Sequence, residues 1–165
     1  MNEDLRTFYS WVKAAREQLF TWAASLPAEV YTRKSPDFAY GSLRNVQAHI
    51  ADCYLVWVGT CGLQQTERPF DTSAAQDVAG MRRVYAQLDQ MLERAFEQFT
   101  QPDEPMDIQF RNEMLQVTQR WLILHPITHE FHHKGQMLTM GRMLGWPYPP
   151  GPDTDLALPI SGNAD

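Results

Sequence analysis

Histidine is concentrated in one short stretch of this sequence. The segment LHPITHEFHHKGQM, residues 124–137, contains four of the five histidines of the chain, all within nine positions. Residues four apart lie on one face of a helix, so a helical stretch would place His125, His129 and His133 along the same face. Because neutral imidazole is a common metal ligand, this spacing predicts a metal site rather than a solvated helix surface.

The geometry of a helix limits which of these histidines can bind one ion. His125 and His133 are two turns apart, roughly 12 Å, and the side chains of His132 and His133 point about 100° apart. The feasible pairs are therefore 125 with 129, 129 with 132, and 129 with 133. His129 belongs to all three pairs and is the anchor of the predicted site.

The fifth histidine, His49, lies beside an apolar stripe formed by Val46, Ile50 and Cys53. If this stripe belongs to a helix that faces the histidine-rich helix, His49 supplies a third imidazole and one coordination position stays open. An open position is typical of catalytic metal centres, whereas structural sites are closed. The alternative is that the histidines lie at the edge of the core and bond to backbone or carboxylate groups. The metal site is favoured because burying unpaired imidazoles costs free energy.

The length and composition of the chain bound its class. Its 165 residues fit a single domain, 1–165, and the 44% apolar and 21% charged content indicates a globular protein. The net charge of -6, without a block of Lys or Arg, argues against nucleic-acid binding. The first twenty residues contain acids and lack an apolar core, so we expect no signal peptide. No apolar run approaches the length of a membrane span.

The two cysteines predict a reducing environment. Cys53 and Cys61 are eight residues apart in one predicted helix. This spacing corresponds to about 12 Å along the helix axis, which is too far for a disulfide. We therefore expect a cytoplasmic protein.

Amphipathic segments are predicted to position these residues. The first helix covers about 3–25, with apolar residues at three-four spacing. A long loop at 26–42 follows, because this segment has two prolines and no helical period. Ser42 is predicted to cap a second helix that extends to about Leu63.

The second half of the chain predicts two more helices. Ser73 and Gln76 have the spacing of a capping box before a third helix, whose apolar stripe covers 81–99. The fourth helix is predicted at 112–144, and a proline-rich C-terminal tail begins at about residue 145. Without a convincing strand alternation, the pattern predicts an all-α protein, an antiparallel four-helix bundle with a long loop after helix 1.

The histidine-rich stretch, together with LRNVQAHIADCYLVW at residues 43–57, resembles the DinB-like (DinB/YfiT) metal-binding four-helix bundle family. The resemblance covers nearly the whole chain, and the histidine–KGQ motif is its more specific part. It implies that His49, His129 and His133 are the metal ligands. The ion is expected to be zinc or nickel, since imidazole suits both.

Three neighbours of these ligands have alternative roles. Asp52, three residues after His49, either accepts a hydrogen bond from an imidazole or is an ordinary solvated acid. Gln136, one turn after His133, either bonds to a bound water or substrate or packs against the next helix. Cys53 is a possible extra ligand, although a cysteine on an apolar stripe is more often a small hydrophobic residue.

Other residues of the fourth helix are expected to be structural. Pro126 should kink the helix one turn before the site, because it removes a backbone hydrogen bond. His125 and His132 are predicted to be structural rather than ligating. Glu130 and Lys134 are predicted to form an exposed i,i+4 ion pair.

The resemblance also implies a function. Some DinB-like proteins resemble transferases that act with low-molecular-weight thiols such as bacillithiol or mycothiol. A divalent metal lowers the pKa of a bound thiol and leaves it nucleophilic toward an electrophilic small-molecule substrate. A metal-dependent thiol transferase is therefore the first hypothesis. The alternatives are a metal-dependent hydrolase and a non-catalytic metal-binding module of a stress response.

The N-terminal third contains more aromatic residues than one helix face needs. DinB-like proteins often resemble dimers, so we expect some of these aromatic side chains in a homodimer interface. The alternative is that they close one end of the bundle and cover the loop. The residues concerned are Trp11, Trp22, Tyr31, Phe38 and Tyr40.

Overall fold

The apolar stripe of the N-terminal segment forms one long helix. The computed structural model describes residues 2–149 and residue 156. Helix α1 spans Asn2–Ser25, close to the predicted bounds. Its inner face buries apolar residues at three-four spacing, among them Val12 and Leu19.

The segment predicted as a long loop contains a short second helix. Helix α2 spans Ala28–Thr32 and begins directly after Pro27, whose fixed φ suits a helix start. Val30 and Tyr31 are buried, so this one turn anchors the connection to the core. Five residues are too few for an apolar repeat, which is why the sequence pattern did not predict the helix.

The next helix begins at the predicted cap and changes its winding partway along. Helix α3 spans Leu43–Tyr54, and the hydroxyl of Ser42 accepts a hydrogen bond from the backbone N–H of Asn45. The chain then continues as a π-helical segment, Leu55–Gly62, rather than as the single α-helix that was predicted. π-helical turns are rare in proteins, and those that occur are frequently found at functional sites.

Two glycines let the π-helical segment approach its neighbours. A Cβ atom at Gly59 would lie 2.8 Å from the sulfur of Met91, and one at Gly62 would lie 2.7 Å from the ring of Phe99. Both distances are shorter than real Cβ contacts. A side chain at either glycine would force Met91 or Phe99 to shift, so the two glycines favour the close packing of this segment.

The prediction of a capping box at Ser73 and Gln76 is wrong. Thr72–Ala74 forms a short 3-10 turn, and helix α4 spans Val78–Gln98. The carboxylate of Asp77 caps α4 by accepting a hydrogen bond from the backbone N–H of the third helical residue. Asp77 rather than the more distant Ser73 caps the helix, because its carboxylate reaches the free N–H groups of the first turn.

A β-hairpin lies between α4 and the last helix, where the sequence analysis predicted a loop and then a helix from about 112. Strands β1 (Pro105–Phe110) and β2 (Glu113–Thr118) pair antiparallel in a two-stranded sheet. Ile108 is the buried apolar residue of the hairpin, while its neighbours in both strands are half-buried or exposed. One buried position gives too weak an alternation to predict a strand.

The last helix starts later than predicted and ends close to the predicted bound. Helix α5 spans Gln119–Met143, and the hydroxyl of Thr118 accepts a hydrogen bond from the backbone N–H of Trp121. Pro126 lies inside α5, where it is buried. The helix continues without interruption on both sides of this proline.

One hydrophobic core joins the long helices. Fully buried residues come from each of them, including Tyr9 of α1, Tyr54 of α3, Leu88 of α4 and Leu122 of α5. The protein is thus mostly helical, with one small sheet, in broad agreement with the predicted class. Among the described helices, none is both long and apolar enough for a bilayer span.

A buried charged network crosses this core, so the prediction of an exposed Glu130–Lys134 pair is wrong. The guanidinium of Arg16 in α1 donates two hydrogen bonds to the carboxylate of Glu130, at 2.7 and 2.9 Å. It also donates to Asp89 of α4 at 2.8 Å, and the Tyr54 hydroxyl of α3 donates to Glu130 at 2.6 Å. Lys134 is 2% exposed.

The beginning of the predicted tail packs on the helices. The rings of Trp22 and Tyr148 meet edge to face, with centroids 5.6 Å apart. The rest of the proline-rich tail, apart from residue 156, lies outside the described residues.

Candidate metal centre

Three imidazoles from two helices converge on one point. His49 extends from α3, and His129 and His133 extend from successive turns of α5. The Nε2 atom of His129 lies 3.1 Å from the Nε2 atoms of both His49 and His133. The potential ligand atoms of all three histidines lie within 4.8 Å of one another. Of the three pairs that the helix geometry allows, the structure brings together 129 with 133.

Gln136 orients one of these imidazoles. Its amide oxygen lies 2.7 Å from Nδ1 of His133, and its amide nitrogen lies 3.0 Å from Nε2 of His132. An amide oxygen accepts only, so Nδ1 of His133 carries the proton and its Nε2 presents a lone pair to the cluster. Metal-binding histidines are commonly oriented in this way. The glutamine predicted to lie beside the site thus bonds to the imidazole itself.

The environment keeps the imidazoles neutral. Burial, reinforced by the nearby His133 and His49, lowers the pKa of His129 to about 4. Burial also lowers the pKa values of His49 and His133 below the ordinary value. Neutral imidazole is the form that binds a metal ion.

The donor set fits a divalent cation. The Nε2 lone pair of His133 is directed at the cluster. The Nε2 atom of His129 can carry at most one proton, but it has two imidazole nitrogens as neighbours at 3.1 Å. A single proton cannot make a good hydrogen bond to both neighbours, whereas a cation accepts a lone pair from each of the three rings. Three nitrogen ligands leave at least one coordination position for a water or a substrate.

Tyr40 covers the outer side of the cluster, a role that the sequence did not predict. Its ring stacks on His49 with centroids 4.0 Å apart, and it meets His133 edge to face at 5.5 Å. The backbone of Tyr40 has a φ of +66°, which is unusual for a residue other than glycine. The Tyr-Gly pair directly before the cap of α3 was the only signal of such a turn.

Asp52 and Cys53 lie beside the cluster but outside it. The Asp52 carboxylate accepts hydrogen bonds from Arg68 at 2.5 Å and from the hydroxyl of Thr72 at 3.1 Å. Its charge still acts to raise the pKa of His49. Burial raises the pKa of the Cys53 thiol to about 12, so at neutral pH this side chain is a protonated, half-buried hydrophobic group.

The other two histidines of the motif do not join the cluster. His125 stacks on Trp121 with centroids 4.5 Å apart and contacts Trp57 edge to face at 5.0 Å. His132 is exposed and bonds to Gln136.

A cavity of about 510 Å³ opens beside the imidazoles. His49 and His129 line it on one side, and Phe110 and Arg111 of the hairpin contribute to its lining. Its size is in the range of small-molecule binding sites. Phe110 and Arg111 were not among the predicted site residues, because neither strand of the hairpin was predicted.

Comparisons with known proteins give a family match and a similar fold. A family model described as "DinB family" matches residues 1–157. A solved structure described as a DinB-like protein from Bacillus cereus is similar in fold, with a TM-score of 0.58 and 22% sequence identity, over 88% of this chain and 95% of that one. No curated protein matches the sequence.

Proposed function

The chain belongs to the DinB family, and from this membership and the convergence of three imidazoles we propose that it binds one divalent metal ion through His49, His129 and His133. The observation that carries the proposal is the approach of three Nε2 atoms from two different helices. Zinc and nickel are the preferred ions, because both suit imidazole ligands. The proposed scaffold is the antiparallel four-helix bundle formed by the long helical segments.

The proposed activity is metal-dependent thiol transfer. When bound, the ion would supply Lewis acidity that lowers the pKa of a thiol at its open position. In the reaction, the sulfur of a low-molecular-weight thiol forms a bond to an electrophilic carbon, and the thiol proton leaves with the displaced group. The chain's own residues hold and shield the site, since Tyr40 covers His49 and Gln136 orients His133.

Accessibility supports a catalytic site over a closed structural one. The cavity beside the cluster is lined by two of the three proposed ligands, so a small molecule can reach them. Cys53, which could close a fourth position, does not belong to the group of side chains whose ligand atoms lie within 4.8 Å of one another. The two free cysteines are consistent with a reducing, cytoplasmic location, which we retain as part of the proposal.

Elemental analysis tests the proposed ligands. Protein purified without a polyhistidine tag should contain about one zinc or nickel per chain, and the His129→Ala variant should contain almost none, because two imidazoles bind an ion much more weakly than three. His125→Ala is the matched control, since it removes a histidine of the same helix face outside the cluster. Equal metal content in all three proteins would contradict the assignment.

Absorbance of the cobalt-substituted protein tests the activity class. Titration with several low-molecular-weight thiols should produce a thiolate-to-cobalt charge-transfer band in the wild type, and no band in His133→Ala. If no thiol changes the spectrum and chelation of the metal unfolds the chain, the metal is structural.

A further inference from the structure

From the cavity beside the histidines we propose the substrate class: a flat aromatic molecule with an anionic substituent, whose charge is bound by Arg111 of the hairpin turn. The assignment of this molecule as a substrate rests on the proposed function, because the cavity adjoins the candidate metal centre. Its evidence is separate, since it comes from the aromatic wall, from the charge and from the backbone of the hairpin.

The wall of the cavity next to the cluster is aromatic. Trp57 stacks on Phe110 with centroids 4.5 Å apart, and His125 meets Trp57 edge to face at 5.0 Å. The His125 ring is inclined by 28° to that of His129, with centroids 6.4 Å apart, so the row of rings continues to the candidate ligands. Aromatic faces bind flat unsaturated molecules better than saturated ones, because ring pairs stabilise beyond the area they bury.

Arg111 contributes the positive charge of the cavity. Its guanidinium lies 5.1 Å from the centroid of the Phe110 ring, at the hairpin side of the lining. Among residues 2–149 and 156, no carboxylate forms an ion pair with it. The acid in the lining, Asp52, is already bonded to Arg68 and Thr72. A carboxylate or similar anion on a ligand would therefore find a cation ready to pair.

The backbone at Arg111 is held in an unfavourable conformation. The turn between the strands has two residues, since Phe110 pairs with Glu113, and Arg111 has a φ of +55°. Glycine or asparagine fits this region with less strain than arginine. A residue that is poor for the turn but lines a cavity next to three imidazoles is better explained by its side chain than by the fold.

The positions of the two groups also orient the ligand. An anionic group on Arg111 would direct the opposite end of a flat molecule along Trp57 and His125 toward His129. The proposed substrate is thus an aromatic or conjugated electrophile whose carboxylate lies away from its reactive carbon.

Calorimetric titration with two matched probes tests the proposal. 2-Naphthoate is the anionic probe, and 2-naphthamide is its neutral counterpart of similar shape. The wild type should bind the naphthoate about tenfold more tightly, as expected for a charge-assisted hydrogen bond. Arg111→Gly and Arg111→Asn should bring the ratio of the two affinities close to one and keep the affinity for the amide.

Thermal unfolding and a charge control complete the test. Because glycine and asparagine fit the turn, the unfolding midpoint of both variants should be unchanged or higher. Arg83→Gln removes one positive charge from an exposed position of α4 and should keep the wild-type ratio. An unchanged ratio in the Arg111 variants, or no binding of either probe, overturns the proposal.

Titration after chelation separates this proposal from the metal assignment. If the wild-type preference for naphthoate persists in metal-free protein, Arg111 binds the carboxylate as proposed. If the preference disappears with the metal, the carboxylate binds the ion and the role of Arg111 is overturned. If elemental analysis finds no metal in any preparation, the proposed function fails while the probe titrations still decide the role of Arg111.

Discussion

At the scale of single residues, Gln136 has the clearest consequence for metal affinity. Its amide oxygen holds the proton-bearing nitrogen of His133, and this fixes which nitrogen faces the cluster. We expect Gln136→Ala to weaken metal binding by about 10–100-fold, as for other groups that orient a ligating histidine. Competition with a metal-binding dye measures the change. Gln136→Glu, which keeps an acceptor at this position, should retain most of the affinity, and equal losses in both variants would contradict the orienting role.

The protonation of His129 gives the metal-free protein a defined pH dependence. Its pKa is lowered by burial and neighbouring imidazoles to about 4, whereas an unfolded histidine titrates near about 6.5. The unfolded chain therefore takes up a proton first, and stability should fall as the pH drops from about 6.5 to about 4. The lowered pKa values of His49 and His133 act in the same direction.

A histidine NMR titration of metal-free protein checks this prediction. The ring signals of His129 should remain in the neutral form until the pH approaches 4. Urea unfolding of His129→Gln should show a weaker pH dependence than the wild type across the same range. Titration of His129 at an ordinary pKa would show that the cluster is more solvated than its burial indicates.

The residues of the site differ in how readily the sequence reveals them. The spacing of His129 and His133 is local, so a helical period alone predicts that they share a face. His49 lies on a different helix, so its place in the site was predicted only from the assumed packing of two helices and from the family resemblance. Tyr40 and Arg111 could not be predicted, because both lie in turns with positive φ where ordinary residues are unusual.

At the scale of elements, the long helices were predictable and the irregular segments were not. Strong apolar stripes gave α1 and α4 nearly correct bounds. The π-helical segment Leu55–Gly62 is as apolar as a buried α-helix would be. Its sequence therefore does not distinguish π-helical from α-helical winding. The hairpin was missed because it exposes most of its residues, and α5 was consequently predicted to begin too early.

The buried charged network links the four long helical segments, so removal of one of its charged partners should be strongly destabilising. Replacing Arg16 by Met would leave Glu130 buried without its cation. We expect a loss of about 3–5 kcal/mol in the free energy of unfolding, measured by urea denaturation at pH 7.

An exposed ion pair between α1 and α4, two of the helices that the network joins, gives the matched control. Arg6 of α1 pairs with Glu93 of α4, and both side chains are 43% exposed. Arg6→Met should cost at most about 1 kcal/mol, because water screens exposed charges. Similar losses in the two variants would indicate that the network on Arg16 is solvated.

At the scale of the whole molecule, we expect a homodimer. Of the aromatic residues that suggested an interface, Trp22 and Tyr31 are buried within the chain and serve the core instead. Trp11 and Phe38 are half-buried, and Tyr40 is exposed at the candidate metal centre.

Sedimentation velocity at micromolar concentration tests the dimer. The expected species has about twice the 19.0 kDa mass of one chain. Trp11→Glu should shift it toward the monomer, while Trp146→Glu, at an exposed position after α5, should not. A single species of 19.0 kDa would exclude the dimer.

The separation of the candidate ligands along the chain has a consequence for folding. His129 and His133 are neighbours on one helical turn and can meet in a fragment, but His49 is 80 positions away from His129. In a denatured chain, bringing such distant positions together costs roughly 4 kcal/mol of loop-closure entropy. An ion held by all three rings would therefore act as a reversible cross-link between α3 and α5, and its affinity would report whether the two helices have docked.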